Sequence, residues 1–346
     1  FIVFVASFCK TPKSQEIYKM DSNAILYDLQ DIITAKDIKD AFDTYSVTPK
    51  KNPNIFLFVV DTLRRDHAGK DYMPHAYENF MSLSETITFN NMSANAVTTY
   101  FSQTTLFNSM HGYVRPYMMS NNYSAGAVNL NVLRAAGYKI HLFGRPNNNF
   151  CFDKDHKNFT QQYWNNRFLY SDDPYSFLGG RCQVYFPTKK TYARNDHLFI
   201  TAFRKEYSSI IFDRGISSNF FIFWLDAVHT PYTFSPDRIL NIQEPYYVDT
   251  PSETLFPDLK DQEAIKNAYR NAVQGADHQF FRFINKLKDK DDFDDSLIIL
   301  MSDHGERLFS RHYIGSDKDK TSHSGVGYNE LIDNTFFMKF PKKEIS

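Results

Sequence analysis

Four apolar runs mark the chain. Ile55-Phe56-Leu57-Phe58-Val59-Val60 stops at Asp61, and Phe220-Phe221-Ile222-Phe223-Trp224-Leu225 stops at Asp226. Ser296-Leu297-Ile298-Ile299-Leu300-Met301 stops at Ser302-Asp303-His304, and Gly137-Tyr138-Lys139-Ile140-His141-Leu142-Phe143 follows a glycine helix stop. Apolar residues without alternation predict strands buried on both faces. Between them, apolar residues recur at helical spacing over Ala127 to Ala136, Asp196 to Tyr207 and Asp261 to Leu287. Strands alternating with helices predict an α/β fold: a doubly wound, mainly parallel sheet with helices on both faces. Ahead of it, Asp21 to Tyr45 carries Ile25, Leu26, Leu29, Ile32, Ile33, Ile38, Ala41 and Phe42 at helical spacing, before Pro49-Lys50-Lys51-Asn52-Pro53 breaks the pattern. Residues 1–50 therefore read as an N-terminal helical annex, joined by a linker to the main domain.

Composition narrows this picture. The 346 residues suffice for one large α/β domain or two small ones. A 42% hydrophobic and 23% charged content excludes a disordered chain. Lys plus Arg (39) nearly balances Asp plus Glu (40), so no global field draws nucleic acid. The 33 Phe and 22 Tyr support no binding inference by themselves. Cys9, Cys151 and Cys182 lack CxxC spacing, which argues against a cysteine metal site. Cys151 and Cys182 would pair in an exported domain, or remain two buried thiols. The opening stretch Phe1 to Cys9 is much shorter than the ~20 residues that span a bilayer. It reads as the stub of a transmembrane helix or signal sequence, or as a short buried strand.

Candidate chemistry gathers where the strands stop. In doubly wound folds, ligands bind outside the carboxyl ends of the strands. Three apolar strands end in Asp61, Asp226 and Asp303-His304, with His67 and His229 close behind. Asp is common in turns, yet the coincidence over three strands favours a shared site. A carboxylate and an imidazole at adjacent positions can bind one metal if the backbone turns, which Gly305 permits. Mixed Asp/His donors suit a divalent ion, zinc favoured by the imidazole, with manganese, calcium or magnesium as alternatives. Arg64, Asp66 and His67 otherwise read as a local surface network. Thr98 to Ser109 reads as a loop entering a helix near Thr99, where the helix dipole stabilises an alkoxide or an anionic ester. Taken alone, Thr98 or Thr99 simply caps that helix.

In order, these pieces resemble the sulfatases and phosphoethanolamine transferases of the alkaline phosphatase superfamily. Asp61-Thr62-Leu63-Arg64-Arg65-Asp66-His67 resembles their opening D-T-L-R-x-D-H, and Thr99-Tyr100-Phe101-Ser102 the transferases' T-x-x-S. Ala135-Ala136-Gly137-Tyr138 resembles an N-G-Y strand entry, and His229-Thr230-Pro231-Tyr232 an H-x-P-Y segment. Asp277 precedes Ser302-Asp303-His304-Gly305-Glu306, similar to S-D-H-G-E, and His323 matches a later family histidine.

The resemblance covers roughly residues 54–340. It implies a sulfatase-like catalytic domain over 54–346, cut short at its C-terminus. It further implies a metal held by Asp61, Thr99, Asp303 and His304, and a covalent intermediate on Thr99. His229 and His323 would surround the leaving and transferred groups, and Ser102 and Arg64 would contact substrate. The chain departs from the formylglycine sulfatases, because Thr99-Tyr100-Phe101-Ser102-Gln103 lacks the Pro and Arg of their C/S-x-P-S-R. Counting back from Gly112 by the sulfatase spacing points to Ser102 instead of Thr99. With Asp61 where the phosphoethanolamine transferases carry Glu, the match to them is incomplete.

The expectation is a metal-dependent enzyme that transfers or hydrolyses a phosphate-linked headgroup of phosphoethanolamine or phosphoglycerol type. The alternatives are a sulfuric-ester hydrolase with an atypical nucleophile and an inactive sulfatase-like binding module. Its partner would be an anionic ester, a lipid headgroup or a surface glycan. The related transferases are membrane-anchored, which implies an anchor before residue 1 and a catalytic domain outside the cytoplasm. Specificity is expected in the polar, aromatic stretch from Asn147 to Arg194.

Overall fold

The phenylalanine-rich strands become the centre of the sheet. In this computed structural model the described residues are 52–108, 129, 130, 133, 136–144, 182–185, 196–212, 218–246, 262–309 and 329–342. The expected annex over 1–50, the candidate His323, Gly112, Cys9 and Cys151 lie outside them. In chain order the elements are β1 (Ile55–Val60), the short helix α1 (Pro74–Ala76) running into a π turn, β2 (Thr86–Thr88), β3 (Met92–Ser93), and α2 (Thr99–Asn108). Then come β4 (Lys139–Phe143), β5 (Cys182–Tyr185), α3 (Asp196–Phe212), β6 (Asn219–Leu225), and α4 (Gln262–Lys288). The chain closes with β7 (Leu297–Ser302), α5 (Asn329–Ile332), β8 (Asp333–Asn334) and β9 (Phe336–Lys339). Of the helix expected over 127–136, residues 129, 130 and 133 are described and helical.

A seven-stranded sheet runs in the order β2-β9-β7-β1-β6-β4-β5, with β3 and β8 as a separate pair. The pairings β7-β1, β1-β6, β6-β4 and β4-β5 are parallel, and β9 is antiparallel to both β7 and β2. The fold is the expected doubly wound α/β arrangement around a mainly parallel sheet. All six residues of β1 are buried. Its alternate residues enter two cores: Phe56, Phe58 and Val60 face one way, and Ile55, Leu57 and Val59 the other. Burial on both faces is why the sequence shows a run instead of an alternation.

Register explains the phenylalanines. Phe56 pairs with Phe221 and Phe58 with Phe223 across β1 and β6. Their rings stack at centroid distances of 4.8 and 5.4 Å, and Phe143 of β4 extends the row against Phe223 at 5.2 Å. Phe203 and Tyr207 of α3 and Phe280 and Phe283 of α4 close over this ladder. Each such buried ring contributes roughly 2–3 kcal/mol of transfer free energy. The aromatic residues of these described strands and helices thus have a packing explanation.

Helix α4 has 27 residues and, at ~1.5 Å per residue, is about 40 Å long. Ile265, Tyr269, Ala272, Val273, Ala276, Phe280, Phe283 and Leu287 make one buried stripe at helical spacing. Several polar residues of α4 are also buried, among them the carboxylate of Asp277. It accepts hydrogen bonds from the backbone N–H groups of His75 (3.1 Å) and Ala76 (2.7 Å) and so ties α4 to α1. Among the described residues no helix is long and apolar enough to cross a membrane.

Candidate metal centre and active site

The β1–β7 register builds the site. Val60 pairs with Ser302, so the next residue on one strand and the next on the other, Asp61 and Asp303, emerge side by side. Both are buried. Asp303 Oδ1 accepts hydrogen bonds from the backbone N–H of Thr62 (3.1 Å) and of His304 (2.8 Å). Its second oxygen, Oδ2, is buried with no hydrogen-bond partner and lies 3.5 Å from His304 Nε2. The Ser302 hydroxyl donates to the His304 carbonyl, and Gly305 N–H donates to Leu331 O, so the turn carrying the histidine is held at both ends.

His304 is oriented by its own backbone neighbour. Its Nδ1–H donates to Gly305 O at 2.9 Å, which leaves the lone pair on Nε2. That atom is 3.5 Å from Asp303 Oδ2 and 4.0 Å from Asp61 Oδ1. A ligating histidine typically donates its other ring N–H to a carbonyl or carboxylate in this way. Asp61, Asp303 and His304 each offer one ligand atom, all within 4.8 Å of one another. Burial, then the Asp61 charge, pushes Asp303 well above the usual carboxylate range, against the pull of its two amide donors. Two buried carboxylates converging on an imidazole lone pair suit a divalent cation, which relieves their repulsion. The donor set therefore fits a metal ion.

The first residue of α2 reaches this cluster. Thr99 Oγ1 donates to Asp61 Oδ2 at 3.1 Å and lies 3.4 Å from His304 Nε2. Trp224 Nε1 donates to the same Asp61 oxygen at 3.4 Å. One turn further on, Ser102 Oγ donates instead to Ala96 O at 3.4 Å. Ser102, Leu106, Met301 and Asp303 help line a cavity of about 20 Å³, room for one water molecule. Leu106 and Phe107, 5% and 2% exposed, anchor α2 in the core and set its rotation.

The remaining candidates lie around this centre. The Arg64 guanidinium pairs with Asp66 at 2.6 Å and donates to Glu306 O at 3.2 Å. His67 Nδ1 pairs with Asp66 Oδ1 at 2.6 Å. Burial opposes ionisation of Asp66, but hydrogen bonds and charge from Arg64 and His67 outweigh it and hold the carboxyl far below its usual range. Arg64 thus engages the local network weighed above. His229 follows β6 and is half-buried, with Nδ1 2.7 Å from Thr230 O.

Asp226 ends its strand as Asp61 does, yet it is not part of the three-residue cluster. Its N–H and that of Ala227 donate instead to the Asp196 carboxylate at the start of α3. Two further residues touch the site: Trp224 Nε1 donates to Asp61 Oδ2, and the Tyr269 hydroxyl donates to Thr62 O. Both read in sequence as ordinary core residues.

A mainly parallel α/β sheet whose adjacent strands deliver a carboxylate and a carboxylate-histidine pair beside a helix-terminal hydroxyl is an arrangement that suits a divalent metal. Residues 53–343 match the family Sulfatase, and the chain belongs to that family, within the alkaline phosphatase superfamily. It is an enzyme of the sulfatase-like hydrolase and phosphotransferase class. Members of the superfamily are metal-dependent.

Solved structures share the fold. The periplasmic domain of EptC from Escherichia coli, in complex with Zn, superposes with a TM-score of 0.57 at 15% identity, over 85% of this chain and 74% of that one. Lipooligosaccharide phosphoethanolamine transferase A (EptA) from Neisseria meningitidis, an integral membrane protein, gives 0.57 at 15% identity, over 84% and 48%. The lipoteichoic acid synthase LtaP from Listeria monocytogenes gives 0.53 at 17% identity, over 90% and 72%. The chain thus spans about three quarters of the EptC domain and about half of EptA. Among curated proteins, no sequence matches the chain.

Proposed function

We propose that this enzyme transfers or hydrolyses a phosphate-linked headgroup, of phosphoethanolamine or phosphoglycerol type, through a covalent intermediate on Thr99. One observation carries the reading: a hydroxyl at the start of a helix lies 3.1 Å from a buried carboxylate and 3.4 Å from an imidazole nitrogen of a metal-competent cluster. Asp61, Asp303, His304 and Thr99 would hold a divalent ion, zinc by the donor set and by analogy with the zinc complex of EptC. When bound, that ion supplies charge neutralisation for the anionic ester and favours the alkoxide form of threonine. Thr99 Oγ1 attacks phosphorus, and the proton it carries already points at Asp61 Oδ2. The bond from phosphorus to the leaving oxygen breaks, and His229 donates a proton to that oxygen. Its Nδ1 is engaged by Thr230 O, so Nε2 is the nitrogen that would carry the transferable proton. An acceptor hydroxyl or water then attacks phosphorus, its proton passing to the deprotonated His229, and the bond from phosphorus to Thr99 Oγ1 breaks to release the phosphoryl group to the acceptor. His323, Ser102 and Arg64 are assigned to the substrate by resemblance.

Sulfuric-ester hydrolysis is the second reading, favoured by the family match itself. It would use the same Thr99, since the formylglycine sequence is absent. The domain layout proposed is the annex over 1–50 and the catalytic domain over 54–346. An aryl phosphodiester, with the adduct mapped by peptide mass spectrometry, tests the nucleophile. Thr99→Ala should lose both adduct and turnover, whereas Ser102→Ala should keep the adduct. His229→Ala should slow turnover about 100-fold or more through loss of proton donation. An adduct on Ser102, or one that persists in Thr99→Ala, would mean the other register is correct.

A further inference from the structure

The turn after β1 contains an unusual backbone. Thr62 has φ 61°, the left-handed region, although it is β-branched and not glycine. Such a residue is a steric outlier that persists only where its surroundings over-determine it. Each polar group of Thr62 is engaged. Its N–H donates to Asp303 Oδ1 (3.1 Å), its hydroxyl donates to Asp61 O (2.7 Å), and its carbonyl accepts from the Tyr269 hydroxyl (2.9 Å). The same tyrosine oxygen accepts from the backbone N–H of Arg64 at 2.8 Å. Tyr269 therefore clamps the turn on both sides of Leu63. It is fully buried on α4, and its ring meets those of His67 (5.2 Å) and Tyr232 (5.4 Å) edge-on.

We propose that Tyr269 is a positioning residue for the metal centre: its hydroxyl latches Thr62 in the left-handed conformation from which the Thr62 N–H orients the Asp303 carboxylate. The inference rests on the metal reading of Asp61, Asp303 and His304. Without the latch, Thr62 relaxes towards ordinary backbone angles, its N–H swings away from Asp303 Oδ1, and the carboxylate loses its aim. A hydroxyl on the long helix thereby acts on a ligand that it does not touch.

The test is a double-mutant cycle read by zinc affinity, with the full chain stripped of metal and titrated against a chromophoric chelator. Tyr269→Phe keeps the ring and removes only the oxygen. It should bind Zn²⁺ about 10- to 100-fold more weakly, the range seen when a group orienting a metal ligand is lost. Thr62→Gly adopts positive φ without strain, so removing the hydroxyl in that background should cost much less. Equal zinc affinity in wild type and Tyr269→Phe overturns the proposal. So does an equally large loss in both backgrounds, because the hydroxyl would then act elsewhere than through Thr62. If Tyr269→Phe alone does not fold, Thr62→Gly against Thr62→Gly/Tyr269→Phe carries the decision: a loss of zinc affinity of about 10-fold or more in that pair overturns the proposal, and a much smaller one supports it. A wild-type chain that binds no zinc would instead defeat the metal reading, and this inference with it.

Discussion

Asp277 offers a quantitative test of how α4 is seated. Its carboxyl accepts two backbone N–H groups from α1 but is 1% exposed. Burial raises it from the ordinary 3.8 to about 7, against those two donors and with a smaller push from Glu78. The folded state thus holds a proton that the unfolded state has already released between these two values. Stability falls as pH rises through that window, and it is flat below about 4 and above about 7. The span from 3.8 to about 7, at ~1.4 kcal/mol for each pH unit, amounts to about 4 kcal/mol.

Asp277→Asn removes the titration but turns an amide NH₂ towards one of the two N–H donors, which costs about 2 kcal/mol. The variant should therefore be about 2 kcal/mol less stable than wild type near pH 4 and about 2 kcal/mol more stable at pH 8. Urea unfolding followed by circular dichroism, at half-unit steps from pH 4 to 8, measures this difference directly. Other groups titrate alike in both proteins and cancel. A difference that stays constant across the range, or that runs the opposite way, would refute the assignment of a buried, proton-binding carboxyl to Asp277.

Two further outcomes are expected. Asp303→Ala should lose its bound metal, because it removes the carboxylate whose buried oxygen accepts no hydrogen bond; equal metal content by elemental analysis in variant and wild type would exclude the site. On location, we expect a membrane anchor encoded before residue 1, with the catalytic domain outside the cytoplasm, and a full-length gene encoding neither a transmembrane helix nor a signal peptide there would rule this out.

The central strands and long helices were legible in the sequence because burial leaves a periodicity. β1, β6 and β7 lie between two cores, so each is an uninterrupted apolar run. α4 buries one stripe and shows it as spacing. The short outer strands leave no such trace. β2 is three residues, Thr86–Thr88, two of them exposed, and β3 and β8 have two residues each. Their existence depends on partners distant in sequence, as in the pairing of Thr86 with Lys339.

The ligand candidates could be read because a carboxylate ending an apolar strand demands a partner. Asp61 and Asp226 look alike in that respect, however, and only strand order separates them. β1 is flanked by β7 and β6, and it is the β7 side that brings Asp303 and His304 to Asp61. For the hydroxyl, the resemblance favoured Thr99, although the spacing from Gly112 pointed to Ser102. Core anchorage of α2 through Leu106 and Phe107 turns Thr99 towards Asp61 and Ser102 towards Ala96. Tyr269 could not be found at all, because its spacing is that of any core residue and its chemistry lies in one oxygen. By itself, then, the sequence determined which segments are buried and which polar residues interrupt them, since both follow from local solvation. Which interruptions meet was decided only by the tertiary structure, because meeting depends on strand order and helix rotation, set by contacts between residues hundreds of positions apart.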